Sequence, residues 1–202
     1  MEISVVRKLG DIAEIRAGYQ FREKVAAAKD ANVAVIQIKD IDENHEINVS
    51  DLVYARVENP KDYLVSQGEV LFLSRGSKKF AAVIKDPLEG TIATSYFYIL
   101  RPNSNFVHSA FLGWSINQPE FQNALLPFVK GTNSLLISKI DFQNISIRVP
   151  SFEIQERIVQ LQNLFDHECQ LTATIQKKRR VLLHTISRNL TANHLSIKGK
   201  NS

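Results

Sequence analysis

Between Ser151 and Ala192 the chain has no glycine and no proline, the two residues that most often break a helix. Through the same stretch apolar residues recur at Ile154, Ile158, Leu161, Phe165, Ile175, Leu182 and Ile186. That three-and-four spacing lays a stripe along one helical face. Ser151, followed closely by Glu153, supplies the N-terminal cap region. About 40 residues at 1.5 Å each make a rod of roughly 60 Å, longer than a small domain is wide, so part of it must leave the globule. An isolated helix of this kind would show its stripe to water. The spacing therefore predicts a second helix alongside, with packing onto its own domain as the alternative. Glu168, Thr172 and Arg179 interrupt the stripe.

The residues before this rod read differently. Leu9, Ile12, Ala13 and Ile15 fit one face of a short amphipathic helix that Gly18 stops. Strand patterns follow in "NVAVIQIKDI", "GEVLFLS", "FAAVIKD", "GTIATSYFYILRP" and "FQNISIRVP", with a turn at Gln67-Gly68. "SAFLGWSINQPEFQNALLPFV" reads as two helical pieces split near Gln118-Pro119. The fold class is α+β: a globular domain of mixed helix and sheet over residues 1–150, then a long coiled-coil helix over 151–190. Residues 191–202 form a tail expected to be disordered. A length of 202 residues suits one domain with an appendage.

Charge is informative through its placement. Residues 1–150 carry 17 basic and 17 acidic side chains, and residues 151–202 carry 8 and 4. No acid lies between Glu69 and Asp86, or between Glu120 and Asp141. Arg75, Lys78, Lys79 and Lys85 fill the first gap, and Lys130 and Lys139 the second. Local positive surfaces can form in this way on a neutral domain. The apolar strand Val70–Ser74 empties directly into Arg75-Gly76-Ser77-Lys78-Lys79, which suggests something acidic opposite.

No constellation for catalysis emerges. There is no Gly-x-Gly-x-x-Gly, P-loop, Ser-x-x-Lys, Gly-x-Ser-x-Gly or Asp/Glu-x-Lys. Asn59-Pro60-Lys61-Asp62 lacks the aromatic that an amino-methyltransferase motif requires. The five histidines have no ligand spacing, so no metal or cofactor is expected. The single cysteine, Cys169, excludes an internal disulfide and reads as a small packing residue. The N-terminus has no signal-peptide pattern and no run approaches 18 apolar residues, so a soluble, cytoplasmic chain is expected, away from membranes. What remains are three glycine-centred loop clusters: Gly18-Tyr19-Gln20-Phe21-Arg22, Ser74 to Lys79, and Lys130-Gly131-Thr132-Asn133-Ser134. Glycine allows close approach, short hydroxyls and cations bind phosphate, and Gln, Asn and Arg read base edges. The bland reading is ordinary turns, with Tyr19 and Phe21 stapling their loop to the core.

Three segments carry a family resemblance. "KLGDIAEIRAGYQFR" resembles the start of a target recognition domain. "YLVSQGEVLFLSRGS" resembles an L-x-x-GD-I-L-hydrophobic-x-RG segment, with Glu69 where Asp is usual. "KGTNSLLISKIDFQNISIRVPSFEIQERIVQLQNLFD" resembles a junction in which a Gly-Ser/Thr loop precedes I-P-hydrophobic-P-x-x-E-Q-x-x-I and a spacer helix. Here Ile154 separates Glu153 from Gln155, and the second proline is missing. Over about residues 8–190 the chain resembles the specificity (S) subunit of type I restriction–modification systems, in a half-length form with one recognition domain and one spacer helix.

The resemblance implies a non-catalytic subunit that selects double-stranded DNA for separate methyltransferase (M) and restriction (R) subunits. It implies DNA contacts from Tyr19, Gln20, Arg22, Arg75, Ser77, Lys78, Lys79, Lys130, Thr132, Asn133 and Ser134. Arg75 with Gly76 is alternatively an element of the fold, leaving phosphate to Lys78 and Lys79. It further implies a homodimer through Ile158, Leu161, Phe165, Ile175, Leu182 and Ile186, reading a bipartite palindromic site. A silent or structural recombination-cassette half is the alternative, and a concealed nuclease a weaker one.

Overall fold

The computed structural model describes residues 4–131 and 135–198, the side chains of 191–198 excepted. The chain divides into two compact units, Met1–Val159 and Gln160–Ser202. In order, the elements are β1 (Val5–Lys8), α1 (Leu9–Ile12), β2 (Ala13–Ala17), β3 (Val33–Ile36), β4 (Val53–Ala55), β5 (Val70–Leu73), β6 (Ala81–Val83), β7 (Thr91–Ala93), β8 (Phe97–Pro102), α2 (Ser109–Asn117), α3 (Pro119–Leu125), β9 (Val129–Lys130), β10 (Leu136–Ile137), α4 (Lys139–Gln143), β11 (Ser146–Val149) and α5 (Phe152–Lys198). The expected mixture of strands and short helices, followed by one long helix, is what the chain forms. No helix among the described residues is long and apolar enough to cross a membrane.

The centre is an antiparallel sheet in the order β2-β8-β5-β6. Its middle strands alternate, and both of their faces are covered. Val70 and Phe72 of β5, with Tyr98 and Leu100 of β8, face one core that includes Leu9, Ile12, Phe111, Leu112, Phe121 and Phe142. Leu71, Leu73, Phe97 and Ile99 face a second core with Ile36, Val65, Phe80 and Ile84. This two-sided burial explains why "VLFL" reads as a continuous apolar run. A second sheet, β4-β3-β7, pairs β3 with β7 in parallel and shelters Val33, Val35, Val57 and Ile92. Two further pairs are antiparallel: β1 with β11, in register from Val5↔Val149 to Lys8↔Ser146, and β9 with β10.

The helix expected from Leu9 to Gly18 is a single turn, because α1 ends at Ile12 and Ala13–Ala17 extend as β2. Buried Ala13 and Ile15 satisfy a two-residue period as well as a helical one, and pairing along β8, from Ala13↔Pro102 to Ala17↔Tyr98, decides between them. At Gly18 the chain crosses towards the second sheet. A Cβ there would sit 2.3 Å from the Thr94 carbonyl oxygen, so the crossing needs glycine. The open edge of the central sheet, β6, is closed by a side chain. The Asn117 amide accepts from the Ala81 N–H at 2.8 Å and donates to the Ala81 carbonyl at 2.9 Å, standing in for a missing strand.

One buried charge ties these parts together. Glu69, 2% exposed, sits at the turn into β5. Its carboxylate accepts from Arg16 of β2 at 3.0 Å, from the Nε of Arg101 of β8 at 3.1 Å, and from the Ser66 N–H at 2.9 Å. Arg16 also donates to the Leu64 carbonyl at 2.7 Å.

The long helix begins inside the first unit. Gln155 is fully buried; its amide accepts from the His108 N–H at 2.9 Å and donates to the carbonyls of Phe106 and Pro150, each at 3.0 Å. Ile158 and Val159 pack against the first core. Ile158, expected in the dimer stripe, thus serves the domain's own packing. The helix continues to Lys198, past the expected end at 190.

Replacing Glu69 by Gln turns an amide donor towards two arginines in a buried place. Unfolding in urea should show a loss of about 3 kcal/mol, the low end for a broken buried pair because Arg101 is half exposed. A loss below about 0.5 kcal/mol would show that the arginines hydrate freely without their partner.

Candidate nucleic-acid interface

Antiparallel pairing sets the end of β2, the end of β5 and the start of β8 at one end of the central sheet. The first two glycine-centred clusters leave from that end, and main-chain hydrogen bonds join them in a row with Leu135 and Ile137, just after the third. Gly18 N–H donates to the Phe97 carbonyl at 3.0 Å, Tyr19 N–H to Ala93 at 2.8 Å, and Ser95 N–H back to Tyr19 at 2.8 Å. On the far side of this turn, the Ser74 N–H and hydroxyl both donate to the Tyr96 carbonyl, at 2.8 and 2.9 Å. Ser74 in turn accepts from Ile137 N–H at 3.2 Å, and Gly76 N–H donates to Leu135 at 2.9 Å. The first cluster therefore abuts the Thr94–Tyr96 turn, that turn abuts the second cluster, and the second abuts the strand end that follows the third.

Gln20, Arg22, Ser77, Lys78 and Lys130 are exposed along this row. Arg75 is half-buried and its backbone bridges to Leu136. Tyr19 is half-buried, edge-on to Phe21 at 4.8 Å and to Tyr63 at 5.0 Å, so both aromatics of the first cluster hold their loop to the second sheet. Thr132, Asn133 and Ser134 lie outside the described residues.

Lys79 has a different task from its neighbour. Its ammonium donates to the carbonyls of Ser74, Gly76 and Leu135, each at 2.9 Å. Three donors meet three acceptors, which pins the second cluster to Leu135, just after the third. Burial lowers its pKa to about 8. Of the two adjacent lysines in the acid-free window, Lys79 is thus turned inward and Lys78 outward.

The sequence reading missed Ser95 and Tyr96. Tyr96 falls inside the strand pattern "GTIATSYFYILRP", yet it lies in the turn before β8, 48% exposed, at the middle of the row. Beside it opens a cleft of about 550 Å³ lined by Tyr19, Phe21, Gln37, Lys39, Thr94 and Tyr96. The Gln37 amide nitrogen and the Thr94 hydroxyl are buried without a hydrogen-bond partner. The aromatic rings and the lysine of this cleft offer a planar polar ligand stacking and one cationic donor.

Other candidates fall to structural roles. His45 stacks on Phe80 at 4.9 Å and meets the Asn117 amide at 3.2 Å, and burial lowers its pKa. Among the described residues no group of three or more His, Cys, Asp or Glu could hold a metal ion. Cys169, expected to pack, is exposed on the single chain.

A family model described as "Type I restriction modification DNA specificity domain" matches residues 1–179. The chain belongs to that family. Membership makes it a non-catalytic DNA specificity domain of the type I restriction–modification kind. No curated protein matches it. Solved structures share the fold of this specificity domain. The S subunit of a type I restriction–modification system from M. genitalium has 11% identity and a TM-score of 0.58, covering 86% of this chain and 41% of that one. The HsdS subunit from Thermoanaerobacter tengcongensis has 21% identity and a TM-score of 0.64, covering 90% and 48%. A chain from a study of complex assembly and conformational transition of the type I R-M system has 18% identity and a TM-score of 0.60, covering 82% and 38%. The chain spans less than half the length of each of these proteins.

The two neighbouring lysines should separate in a stability measurement. Lys79→Met leaves three carbonyls short of a donor and should cost about 1–3 kcal/mol in denaturant unfolding. Lys78→Ala should stay within about 0.5 kcal/mol of the parent. Equal effects would mean that the inward cage does not form in solution.

Proposed function

We propose that this specificity domain binds double-stranded DNA with the three-loop end of its central sheet and directs separate methyltransferase and restriction subunits, in the cytoplasm, to the sequence it selects. The observation that carries this reading is the row formed by the first two clusters, the Thr94–Tyr96 turn and the chain just after the third, segments far apart in sequence, with Gln20, Arg22, Ser77, Lys78, Lys130 and Tyr96 exposed. Lys78 and Lys130 suit phosphate, Gln20 suits adenine, Arg22 suits guanine, and Tyr96 offers a stacking face. Arg75 supports the loop from its half-buried position, and Thr132, Asn133 and Ser134 complete the third cluster. Methylation then belongs to the partner subunit and its S-adenosylmethionine.

The same reading makes the chain a half-subunit that pairs with a second copy through α5. Leu161, Phe165, Ile175, Leu182 and Ile186 are 47–70% exposed on the single chain, and Leu164, Leu171, Leu183 and Leu190 lie beside them. At 100° per residue these nine occupy a stripe about 120° wide, broad enough to need cover. A two-fold protein reads a two-fold site, here two inverted half-sites separated by uncontacted bases.

Salt titration of DNA binding tests the first part. Lys78→Ala removes one phosphate contact per copy, so the slope of log K against log[salt] should flatten by about 2 in a dimer, with sequence preference kept. Lys79→Met should leave the slope alone. Gln20→Ala or Arg22→Ala should relax preference at one position per half-site, by about 1–3 kcal/mol. An unchanged slope for Lys78→Ala and unchanged preference for the other two would remove the loops from the DNA.

Sedimentation tests the second part. The parent chain should be dimeric at micromolar concentration, and Leu182→Asp should make it monomeric. A parent that stays monomeric, or a methylated site with unlike halves, would point to a different half-subunit as partner.

A further inference from the structure

The residues that interrupt the stripe carry information about what covers it. Written as a heptad, the seam of α5 runs Leu161, Phe165, Glu168, Thr172, Ile175, Arg179, Leu182, Ile186, alternating d and a positions. Glu168 and Arg179 are both exposed, and neither side chain has an ion pair or hydrogen bond among the described residues of the single chain. They lie at equal distances on either side of the midpoint between Ala173 and Thr174.

We infer that two copies of α5 pair antiparallel about a two-fold axis at that midpoint, with Glu168 of each copy on Arg179 of the other. The inference rests on the homodimer reading above and adds its register and its source of partner choice. Antiparallel helices set a positions against d positions. In this register Leu161 meets Ile186, Phe165 meets Leu182, Thr172 meets Ile175, and Glu168 meets Arg179. Each apolar residue finds an apolar or β-branched one, and each charge finds its opposite.

The neighbouring alternatives fail on the same residues. A shift of one heptad in one direction sets Glu168 against Thr172 and Arg179 against Leu161. The other shift sets Glu168 against Ile186 and Arg179 against Ile175. Parallel pairing sets Glu168 against Glu168 and Arg179 against Arg179. Each of these strands or opposes like charges within an apolar seam, which is a strong penalty. The charges that spoil the stripe of one helix thus define which partner and which alignment the helix accepts. A half-subunit with a plain apolar seam, or with the two signs exchanged, is rejected.

The test is a charge exchange on the full chain, read by sedimentation equilibrium, with circular dichroism confirming equal helix content. Glu168→Arg alone and Arg179→Glu alone should each weaken self-association by roughly tenfold or more. Mixing the two single variants should restore a dimer containing one of each, since the exchanged charges then face opposite signs at both positions. The double variant should restore the homodimer. If the parent is a dimer but the single variants associate equally well, or their mixture regains nothing, this register is wrong and the homodimer still stands. If the parent is a monomer, the homodimer reading fails and the register with it.

Discussion

Strand β5 serves two cores at once, with Val70 and Phe72 on one side of the sheet and Leu71 and Leu73 on the other. Its position is fixed by Glu69, one residue before it. That carboxylate leaves water only because Arg101 from the neighbouring strand β8, Arg16 from β2 on the far side of β8, and the Ser66 N–H all donate to it. A slip of one residue in either pairing would turn apolar side chains to the wrong face and pull an arginine away from a buried charge. The end of the sheet from which the loops depart therefore has a single geometry. A flexible sheet could not hold three separate segments in one row.

The surface that results is neutral in composition and polarised in layout. Charge alone would not single out this protein as a DNA binder, since the first 150 residues carry equal numbers of acids and bases. What counts is that Glu69 is consumed in the frame, that no other acid follows it before Asp86, and that the described loops at the sheet end expose amide, hydroxyl, aromatic and cationic groups. Burial separates even adjacent cations: Lys79 binds the frame while Lys78 faces solvent.

Much of this was legible in the sequence, for identifiable reasons. The absence of glycine and proline after Ser151, together with the three-and-four spacing, gave the long helix. Gln118-Pro119 gave the break between α2 and α3. The central strands were legible because residues buried on both faces leave an unmistakable apolar run. Ala13 to Ala17 were not, because four apolar positions over seven residues satisfy both periods and only the partner strand chooses. Likewise a sequence shows Lys78 and Lys79 as equals, because three carbonyls from residues as distant as Leu135 are needed to tell them apart. Tyr96 escaped notice because its place in an alternating string looked like strand. Ile158 escaped because it follows the seam spacing while lying close enough to the domain to be used there.

Besides the Lys79 ammonium, the Ser74 hydroxyl and the Tyr19 and Phe21 rings, the loops are suspended by backbone groups: the N–H of Gly18, Tyr19, Ser74, Gly76, Ser95 and Ile137 and the carbonyls they meet. Backbone atoms are the same in every residue, so the posture of the row does not depend on which side chains project from it. Gln20, Arg22, Ser77 or Lys130 can be exchanged without disturbing a single one of these bonds. On the proposed reading, folding and readout thus draw on largely separate sets of atoms, and a lineage built on this frame can wander from one target to another by single substitutions, each passing through a folded intermediate, while Gly18, Glu69 and Lys79 stay put.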